Sequence, residues 1–435
     1  MSAARRGSVP QARGTGWQAR LRDLGPGLIT GAADDDPSGI ATYSQAGAAF
    51  GYGLLWTIVI TWPLMSAIQL VSARIGCATG RGLADNIGRY HARWLQLTLV
   101  FLLLLANGFN ICADIAAMGE ALRLVVGGPA AAYAALFGVL CVVLQVFVHY
   151  RSYVRYLKWL TLALLCYVAV AFTVHVSARE LLRGALWPQP HLDRTMLMMI
   201  VAVLGTTISP YLFFWQASGE VEEAQHRGSG DAAGGQHGGE RRGTQRQRAR
   251  LNWDTIAGMG FSNLVAFFIM LGTAATLHAA GVRDIQSASQ AAEALRPVAG
   301  ELTFLLFSIG IIGTGLLAVP VLAGSAAYAV AECFGWPAGL DLAPLRARGF
   351  YAIITLATLG GLGLVFTHAN PMRLLLWSAV LNGFVAVPIM VVLMRLSARR
   401  SLMGDYTPGP GLRLLGWAAT GVMALAAAGM LVTLF

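Results

Sequence analysis

The stretch Asp34-Asp35-Asp36-Pro37-Ser38-Gly39 decides the fold, because it places three acids and two helix-breaking residues inside an apolar segment. Apolar sequence precedes it from Leu28 to Ala33 and follows it from Ile40 to Leu55. Acids inside membrane segments are costly and usually line a pathway or a site. Broken backbone at membrane depth is tolerated only where protein or a water-filled cavity satisfies it. Carboxylates and freed carbonyls together are typical of a hard-cation site, and this is our interpretation of the stretch.

The composition is typical of a protein that crosses a membrane many times. Of the 435 residues, 56% are hydrophobic and only 12% are charged. Because roughly 20 apolar residues span a bilayer, we predict about eleven helices. The predicted spans are residues 24–50, 53–73, 95–126, 130–149, 157–177, 195–219, 254–280, 300–333, 349–367, 371–395 and 412–434.

Basic residues are distributed unevenly between alternate loops. Residues 1–23 contain arginines but no apolar run that could serve in a signal peptide, so we predict a basic cytoplasmic tail. With that tail inside, most of the 31 Lys and Arg residues fall on cytoplasmic segments, as the positive-inside rule expects. We therefore expect an integral protein of a bacterial-type inner membrane, with its C-terminus outside. This bias also explains the net charge of +10 without a nucleic-acid partner.

A second interruption lies in the sixth predicted span, at Gly205-Thr206-Thr207-Ile208-Ser209-Pro210-Tyr211. Interrupted hydrophobic segments in matching places of two halves are the best sequence indication of a transporter site. Breaks in spans one and six fit two five-helix repeats of opposite topology, because an odd number of helices inverts the second copy. We therefore predict an all-helical membrane protein with repeats over residues 24–177 and 195–395 and an eleventh helix over 412–434.

Two further features complete the outline of the chain. Residues 222–253 are rich in Gly, Gln and Arg, a composition that predicts a flexible cytoplasmic loop. The five cysteines show no Cys-x-x-Cys spacing and lie mostly in apolar segments, so we interpret them as small buried hydrophobes. We expect no resident cofactor.

Several motifs resemble those of the Nramp family of divalent metal transporters, in order and with suitable spacing over most of the chain. They are Gly25-Pro26-Gly27, Asp36-Pro37, Phe50-Gly51-Tyr52 with Leu54-Leu55-Trp56, Ser72-Ala73-Arg74-Ile75-Gly76, Thr79-Gly80-Arg81-Gly82-Leu83-Ala84, Ala113-Asp114 and Met403-Gly404. The resemblance implies a LeuT-like fold, with a divalent cation as substrate bound between broken spans one and six.

Three positions depart from the family members that carry manganese and iron. Those members show Asp-Pro-Gly-Asn in span one and Met-Pro-His in span six. Here the Asp is retained as Asp36, but the Asn, Met and His correspond to Gly39, Ser209 and Tyr211. Thioether sulfur favours softer metals, whereas carboxylate, carbonyl and water suit Mg²⁺, Ca²⁺ and Mn²⁺. Because Mg²⁺ usually keeps several waters, this harder and roomier site resembles the Nramp-related magnesium transporter branch.

In the first break, Asp36 is the first candidate for a metal ligand. An Asp before Pro is also a good helix N-cap, and both roles can hold. Asp34 and Asp35 are further candidates, and the alternative for one of them is a pairing with an arginine or a half-helix N-terminus. Gly39 belongs to the candidate site because it occupies the position of the family's Asn.

In the second break, Ser209 is a candidate through its hydroxyl or its carbonyl, and a packing role is the alternative. Thr206 and Thr207 are candidates through their carbonyls, which a break frees. Tyr211 is a candidate wall or gate of the site, and a packing tyrosine is equally plausible.

Asp114, in the third span, is a candidate for a proton path. In the proton-coupled relatives the matching acid belongs to such a path, but the next acid of that pattern corresponds to Ala117 here. Because the family's His is also absent, we predict weak or no proton coupling. The alternative for Asp114 is a buried acid paired with an arginine or with Asn107 or Asn110.

The sequence favours a secondary transporter that moves a hydrated divalent cation, Mg²⁺ first and Mn²⁺ second, by alternating access. It contains no Gly-x-x-x-x-Gly-Lys-Ser/Thr run, so we expect no nucleotide partner. It also lacks His-Glu-x-x-His and Gly-x-Ser-x-Gly runs, so we expect no enzyme. The alternatives left open are a proton-coupled Mn²⁺/Fe²⁺ importer, a carrier of an organic solute on the same fold and a non-transporting receptor.

Overall fold

The structure is a computed structural model. It describes residues 30–31, 33–148, 164–174, 178–188, 193–231, 240–366 and 370–433, without the side chains of residues 226–244 and 246. Regular secondary structure in these ranges is helical throughout. The predicted tail, residues 1–23, lies outside them.

The first half of the chain begins with helical backbone at residues 30–31 and 33–34. Its α-helices, numbered in chain order, are α1 Pro37–Phe50, α2 Leu55–Thr79, α3 Leu83–Tyr90, α4 Arg93–Val126, α5 Ala130–Phe147, α6 Leu165–Thr173 and α7 Ala178–Leu186. The 3₁₀ turn Gly51–Leu54 joins α1 to α2.

The second half continues the series. Its helices are α8 Arg194–Thr207, α9 Pro210–Asp231, α10 Glu240–Thr273, α11 Ala288–Ala292, α12 Arg296–Ala299, α13 Thr303–Phe334, α14 Arg348–Val365, α15 Pro371–Ser397, α16 Arg400–Met403 and α17 Pro410–Val432. A π-helical turn, Ala274–His278, continues α10. Helices α13, α14 and α15 each pack against α4, α13 also packs against α14, and α1 packs between α8, α10 and α15.

Nine helical stretches of the described chain are long and apolar enough to cross a membrane. We predicted about eleven spans, and two causes explain the difference. Pro37–Thr79 counts as a single stretch although it contains part of predicted span one and all of span two. The fifth predicted span is described only from residue 164 onward, so too little of it remains to be counted.

Both predicted breaks are present. Asp36 has extended backbone, with φ −71° and ψ 169°, and caps α1, whose first residue is Pro37. In the sixth span, α8 ends at Thr207 and α9 begins at Pro210. Proline lacks the N–H that a continuous helix requires, but it is favourable at a first helical position. The two prolines therefore end one half-span and begin the next.

The predicted flexible loop over residues 222–253 is corrected by the structure for most of its length. Helix α9 extends to Asp231 and α10 begins at Glu240, whereas residues 232–239 lie outside the described ranges. Ala, Glu, Gln and Arg are good helix formers, so the polar composition did not stop the apolar spans from extending as helices. Short helices such as α3 and α7 were also missed, because they are far shorter than a membrane span.

Helices α8 and α15 approach each other so closely that their backbones touch. A Cβ atom on Gly205 would collide with the carbonyl oxygen of Ala379 and with the backbone of Gly383. Neither helix can shift without moving the other, because packed interiors leave no room for an extra methyl group. The first half of the sixth span, α8, is therefore fixed to α15.

Gly205→Ala should destabilise the protein by about 1–3 kcal/mol through overpacking. The measurement is the melting temperature of the purified protein in detergent. The matched control is Gly108→Ala on α4, where an added Cβ meets nothing within 4 Å. Equal melting temperatures for the two variants would contradict the close approach of α8 and α15.

Candidate cation site

Four carboxylates are buried where the two breaks meet. The exposed fraction is 1% for Asp34, 2% for Asp35 and Asp36, and 0% for Asp114. In the described part of the chain, none of the four forms an ion pair with a Lys, Arg or His side chain. Burying an uncompensated carboxylate costs several kcal/mol, so either a bound proton or a bound cation would stabilise this region.

Asp36 fulfils the capping role that the sequence predicts. Its Oδ1 accepts a hydrogen bond from the backbone N of Gly39 at 2.6 Å. Its charge also lies close to the Ser38 amide and the Tyr211 hydroxyl. The positive end of the α1 dipole further stabilises the ionised carboxylate. A capping carboxylate keeps free lone pairs, so this bond leaves Asp36 able to bind a cation as well.

Asp34 and Asp35 share one serine, on α10. Ser262 Oγ lies 2.7 Å from Asp34 Oδ2 and 3.1 Å from Asp35 Oδ1. A hydroxyl carries one hydrogen and can donate to only one of them at a time. Asp34 Oδ1 has no hydrogen-bond partner. The alternative pairing of one of these acids with an arginine is therefore not observed among the described residues.

Gly39 lies in close contact with these acids. A Cβ at this position would lie 3.3 Å from Tyr43 Cε2 and 3.4 Å from both the Asp34 carbonyl oxygen and Asp36 Oδ1. A side chain on residue 39 would therefore project into the region between the carboxylates. Its absence removes one potential ligand at a position where even a Cβ would be in tight contact with its neighbours.

The predicted residues of the second break bond mainly to their own helix. Ser209 Oγ lies 2.9 Å from the Gly205 carbonyl oxygen and 2.7 Å from that of Thr206. Thr207 Oγ1 donates to the Val203 carbonyl oxygen at 2.6 Å. Because these side chains already have protein partners, the backbone at this break is better placed than its hydroxyls to face an ion.

Three hydrogen bonds join the two breaks. Tyr43 OH on α1 donates to Thr207 Oγ1 at the end of α8, at 2.9 Å. Tyr211 OH on α9 donates to the carbonyl oxygen of Ala33 at 3.1 Å. Thr30 Oγ1 donates to Gln216 Oε1 on α9 at 2.6 Å. The structure thus brings the candidate residues of spans one and six together around the carboxylates.

Asp114 reaches the same region from α4. Its charge lies close to Asp36 and to the backbone amide of Ser38. Neither carboxylate oxygen has a hydrogen-bond partner. Asn107 instead donates to the Leu322 carbonyl oxygen at 2.9 Å, so the predicted alternative pairing of Asp114 with this asparagine is not observed.

The four carboxylates do not form a complete metal cage. Among the described residues, no group of three or more His, Cys, Asp or Glu side chains is placed to hold a metal ion. An ion at Asp36 would need carbonyl oxygens and water to complete its shell. Mg²⁺ commonly binds through one or two carboxylates and keeps several waters.

Two cavities lie at opposite ends of α13, and none of the four carboxylates lines either of them. The Pro37 cavity, of about 140 Å³, is lined by Pro37, Ala117 and Asn370 among others. The Glu332 cavity, of about 340 Å³, is lined by residues that include Ser218 and Glu332. The acids between them are buried, so neither cavity exposes them in this conformation.

Glu332 and Ser262 are site residues that sequence reasoning missed. The Glu332 carboxylate accepts hydrogen bonds from the Ala84 amide at 2.9 Å and from Ser218 Oγ at 2.8 Å. It therefore fixes α3 to the inner end of α9. For Glu332, the available signal in the sequence was an acidic residue inside the apolar run of residues 300–333. A lone serine in the seventh predicted span gave no comparable signal.

Ser262→Ala should destabilise the protein by about 1–3 kcal/mol, because two buried carboxylates lose the hydroxyl they share. Thermal melting in the absence of divalent cations measures this. Ser397→Ala is the matched control, since the fully buried Ser397 hydroxyl bonds only to the Met394 carbonyl oxygen of its own helix. A loss of stability no greater than that caused by Ser397→Ala would contradict the conclusion that Ser262 stabilises the two buried carboxylates.

Sequence comparison finds one family over nearly the whole chain. The profile of the family described as natural resistance-associated macrophage protein-like, Nramp, matches residues 27–433. The chain is also 29% identical over 424 residues to the divalent metal cation transporter MntH of Klebsiella pneumoniae subsp. pneumoniae. That alignment covers 93% of this chain and 92% of the relative.

Solved structures show the same fold. The Eremococcus coleocola manganese transporter, in complex with an aromatic bis-isothiourea substituted compound, has a TM-score of 0.74 at 17% identity, over 96% of this chain and 87% of that chain. Mhp1, a nucleobase-cation-symport-1 family transporter in a closed conformation, has a TM-score of 0.59 at 14% identity, over 94% and 92% of the two chains. These likenesses confirm the predicted all-helical, LeuT-like fold.

Proposed function

This chain belongs to the Nramp family, and we propose on that basis that it moves a divalent metal cation across a membrane by alternating access. The single observation that carries the proposal is the cluster of four buried carboxylates without a basic partner where two broken spans meet. A cation supplies the charge that this cluster lacks. Two cavities on opposite sides provide the approaches that alternating access requires.

For the ion, we propose hydrated Mg²⁺ first and Mn²⁺ second. Gly39 contributes no side chain, and the Ser209 and Tyr211 hydroxyls bond to carbonyl oxygens of the protein. Neither a thioether nor an imidazole occupies these three positions. Few direct protein ligands and hard oxygens favour an ion that retains water.

Proton-coupled import of Mn²⁺ or Fe²⁺ is the second candidate function. It is favoured by the names of two similar proteins, a divalent metal cation transporter and a manganese transporter. Asp114, buried beside Asp36, is the group that would carry the proton. The absence of an acid at Ala117 favours weak or no coupling instead.

For the pathway, we propose an inner-membrane protein with its N-terminus inside and its C-terminus outside. The Pro37 cavity then opens outward and the Glu332 cavity opens to the cytoplasm. Two charges that move through 100 mV gain about 4.6 kcal/mol. This energy is enough to concentrate a divalent ion without protons or nucleotide. The repeats over residues 24–177 and 195–395 would supply the moving halves.

Asp36→Asn should lower Mg²⁺ and Mn²⁺ uptake into proteoliposomes by about tenfold or more, because the central charge is lost. Uptake is driven by an inside-negative potential while internal pH is recorded. Asp193→Asn is the matched control, since Asp193 also caps a helix, at 2.7 Å from the Met196 amide, but lies outside the site.

The outcomes of this experiment separate the candidate functions. Uptake without internal acidification supports the proposal, whereas acidification that accompanies Mn²⁺ uptake supports the second candidate. No flux of either ion in the unmodified protein would point to a receptor or to a carrier of another solute.

Ser209→Met should raise the affinity for Cd²⁺ by about tenfold, because a thioether favours soft metals. Calorimetric titration of Cd²⁺ and Mg²⁺ into the purified protein measures both affinities. The Mg²⁺ affinity serves as the internal control and should not rise in parallel. An unchanged Cd²⁺ affinity would show that residue 209 does not face the ion.

A further inference from the structure

Helix α4 carries two buried polar side chains that form no hydrogen bond of normal geometry with the described residues. Asn110 and Asp114 both have an exposed fraction of 0%. Neither Asn110 Oδ1 and Nδ2 nor the two Asp114 carboxylate oxygens form such a bond, although the Ser38 amide lies near Asp114. Buried polar side chains in native structures are normally hydrogen-bonded, and each exception requires an explanation. Asn107, on the same helix, shows the normal pattern and donates to Leu322 and Ser325.

The two side chains lie on one face of α4. They are four residues apart, a spacing that places side chains on the same face of a helix about one turn apart. Because they do not bond to each other, their oxygens remain available to a third group. Together, Asp114 and Asn110 offer one carboxylate and one amide oxygen, which are hard ligands of the kind that Mg²⁺ and Mn²⁺ accept.

The position of this pair suggests what the third group is. Asp114 lies beside Asp36 and the Ser38 amide. Ala117, about one turn further along α4, lines the Pro37 cavity together with Pro37 itself. Asp114 on α4 and Asp36 before α1 thus both lie next to residues that line this cavity, and an ion that enters from it would come close to Asp114.

We propose that Asp114 and Asn110 form an access subsite, which binds the hydrated divalent cation before it reaches Asp36. This proposal rests on the proposed function and deepens it. The ion exchanges some of its water for the Asp114 carboxylate and the Asn110 amide oxygen. It then passes to Asp36, whose charge lies close by. Asp114 acts in this step as an ion ligand, and no proton transfer is required.

Mn²⁺ binding to the purified full-length protein tests the subsite, with titration followed by electron paramagnetic resonance. With the central site removed by Asp36→Asn, a weaker Mn²⁺ site should persist. Adding Asn110→Leu should abolish it, whereas Asn110→Asp should tighten it by about tenfold because a second charged ligand is introduced. Gln145→Leu in the same background is the control, since Gln145 is a buried amide that faces Thr358 on α14.

Transport kinetics provide a second readout in the otherwise unmodified protein. Asn110→Leu should raise the KM for Mn²⁺ by about tenfold while the maximal rate is retained, because Asp36 remains intact. If Asn110→Leu does not fold, Asn110→Ala replaces it, because alanine also removes the amide oxygen and should raise the KM for Mn²⁺ in the same way.

The result that overturns the subsite is an Asp36→Asn protein that binds no Mn²⁺ although the unmodified protein does. A residual Mn²⁺ site whose affinity is changed neither by Asn110→Leu nor by Asn110→Asp would also overturn the subsite. A different result would overturn the proposed function itself, namely that the unmodified protein neither binds nor transports divalent cations.

Discussion

Negative charge that is buried without a basic partner is the constraint on which this structure depends. Asp34, Asp35, Asp36 and Asp114 lie together at membrane depth. The nearby donors are a helix N-terminus at Asp36 and a single hydroxyl shared by Asp34 and Asp35. These donors reduce the cost of the charge but do not remove it. A bound cation would therefore stabilise the folded protein as well as occupy the site, since any ligand that binds only the native state does so.

The breaks are the means by which the backbone tolerates this charge. Each break places a proline at the start of a half-span, where its missing N–H causes no loss. The acids then occupy the gap, and their neighbours come from spans far apart in the sequence. The residues Gly39, Ser209 and Tyr211, which depart from the family pattern, leave this architecture unchanged, because each of the three is accommodated by contacts within the protein.

The fold and the positions of the two breaks were predictable because their signals are local. An acid followed by proline inside an apolar segment identified Asp36, and Pro210 identified the second break. Ser262 and Asn110 were not predictable, since their meaning depends on contacts with residues on other spans. The loop over residues 222–253 was misread because composition reports polarity rather than helix propensity. Composition also gave no indication that the Glu332 carboxylate accepts a hydrogen bond from the Ala84 amide of α3, which is distant in the sequence.

The hydrogen bonds that join the breaks follow a pattern with a mechanical consequence. The bond between Tyr43 and Thr207 joins α1 to α8, on the side of the Pro37 cavity. The bonds of Tyr211 to Ala33 and of Thr30 to Gln216 join the segment that precedes Asp36 to α9, on the opposite side. None of these bonds crosses from one side to the other. The two sets of bonds share no donor or acceptor, so one set can break while the other remains intact. Opening on one side of the carboxylates would then not require any loss of bonding on the other.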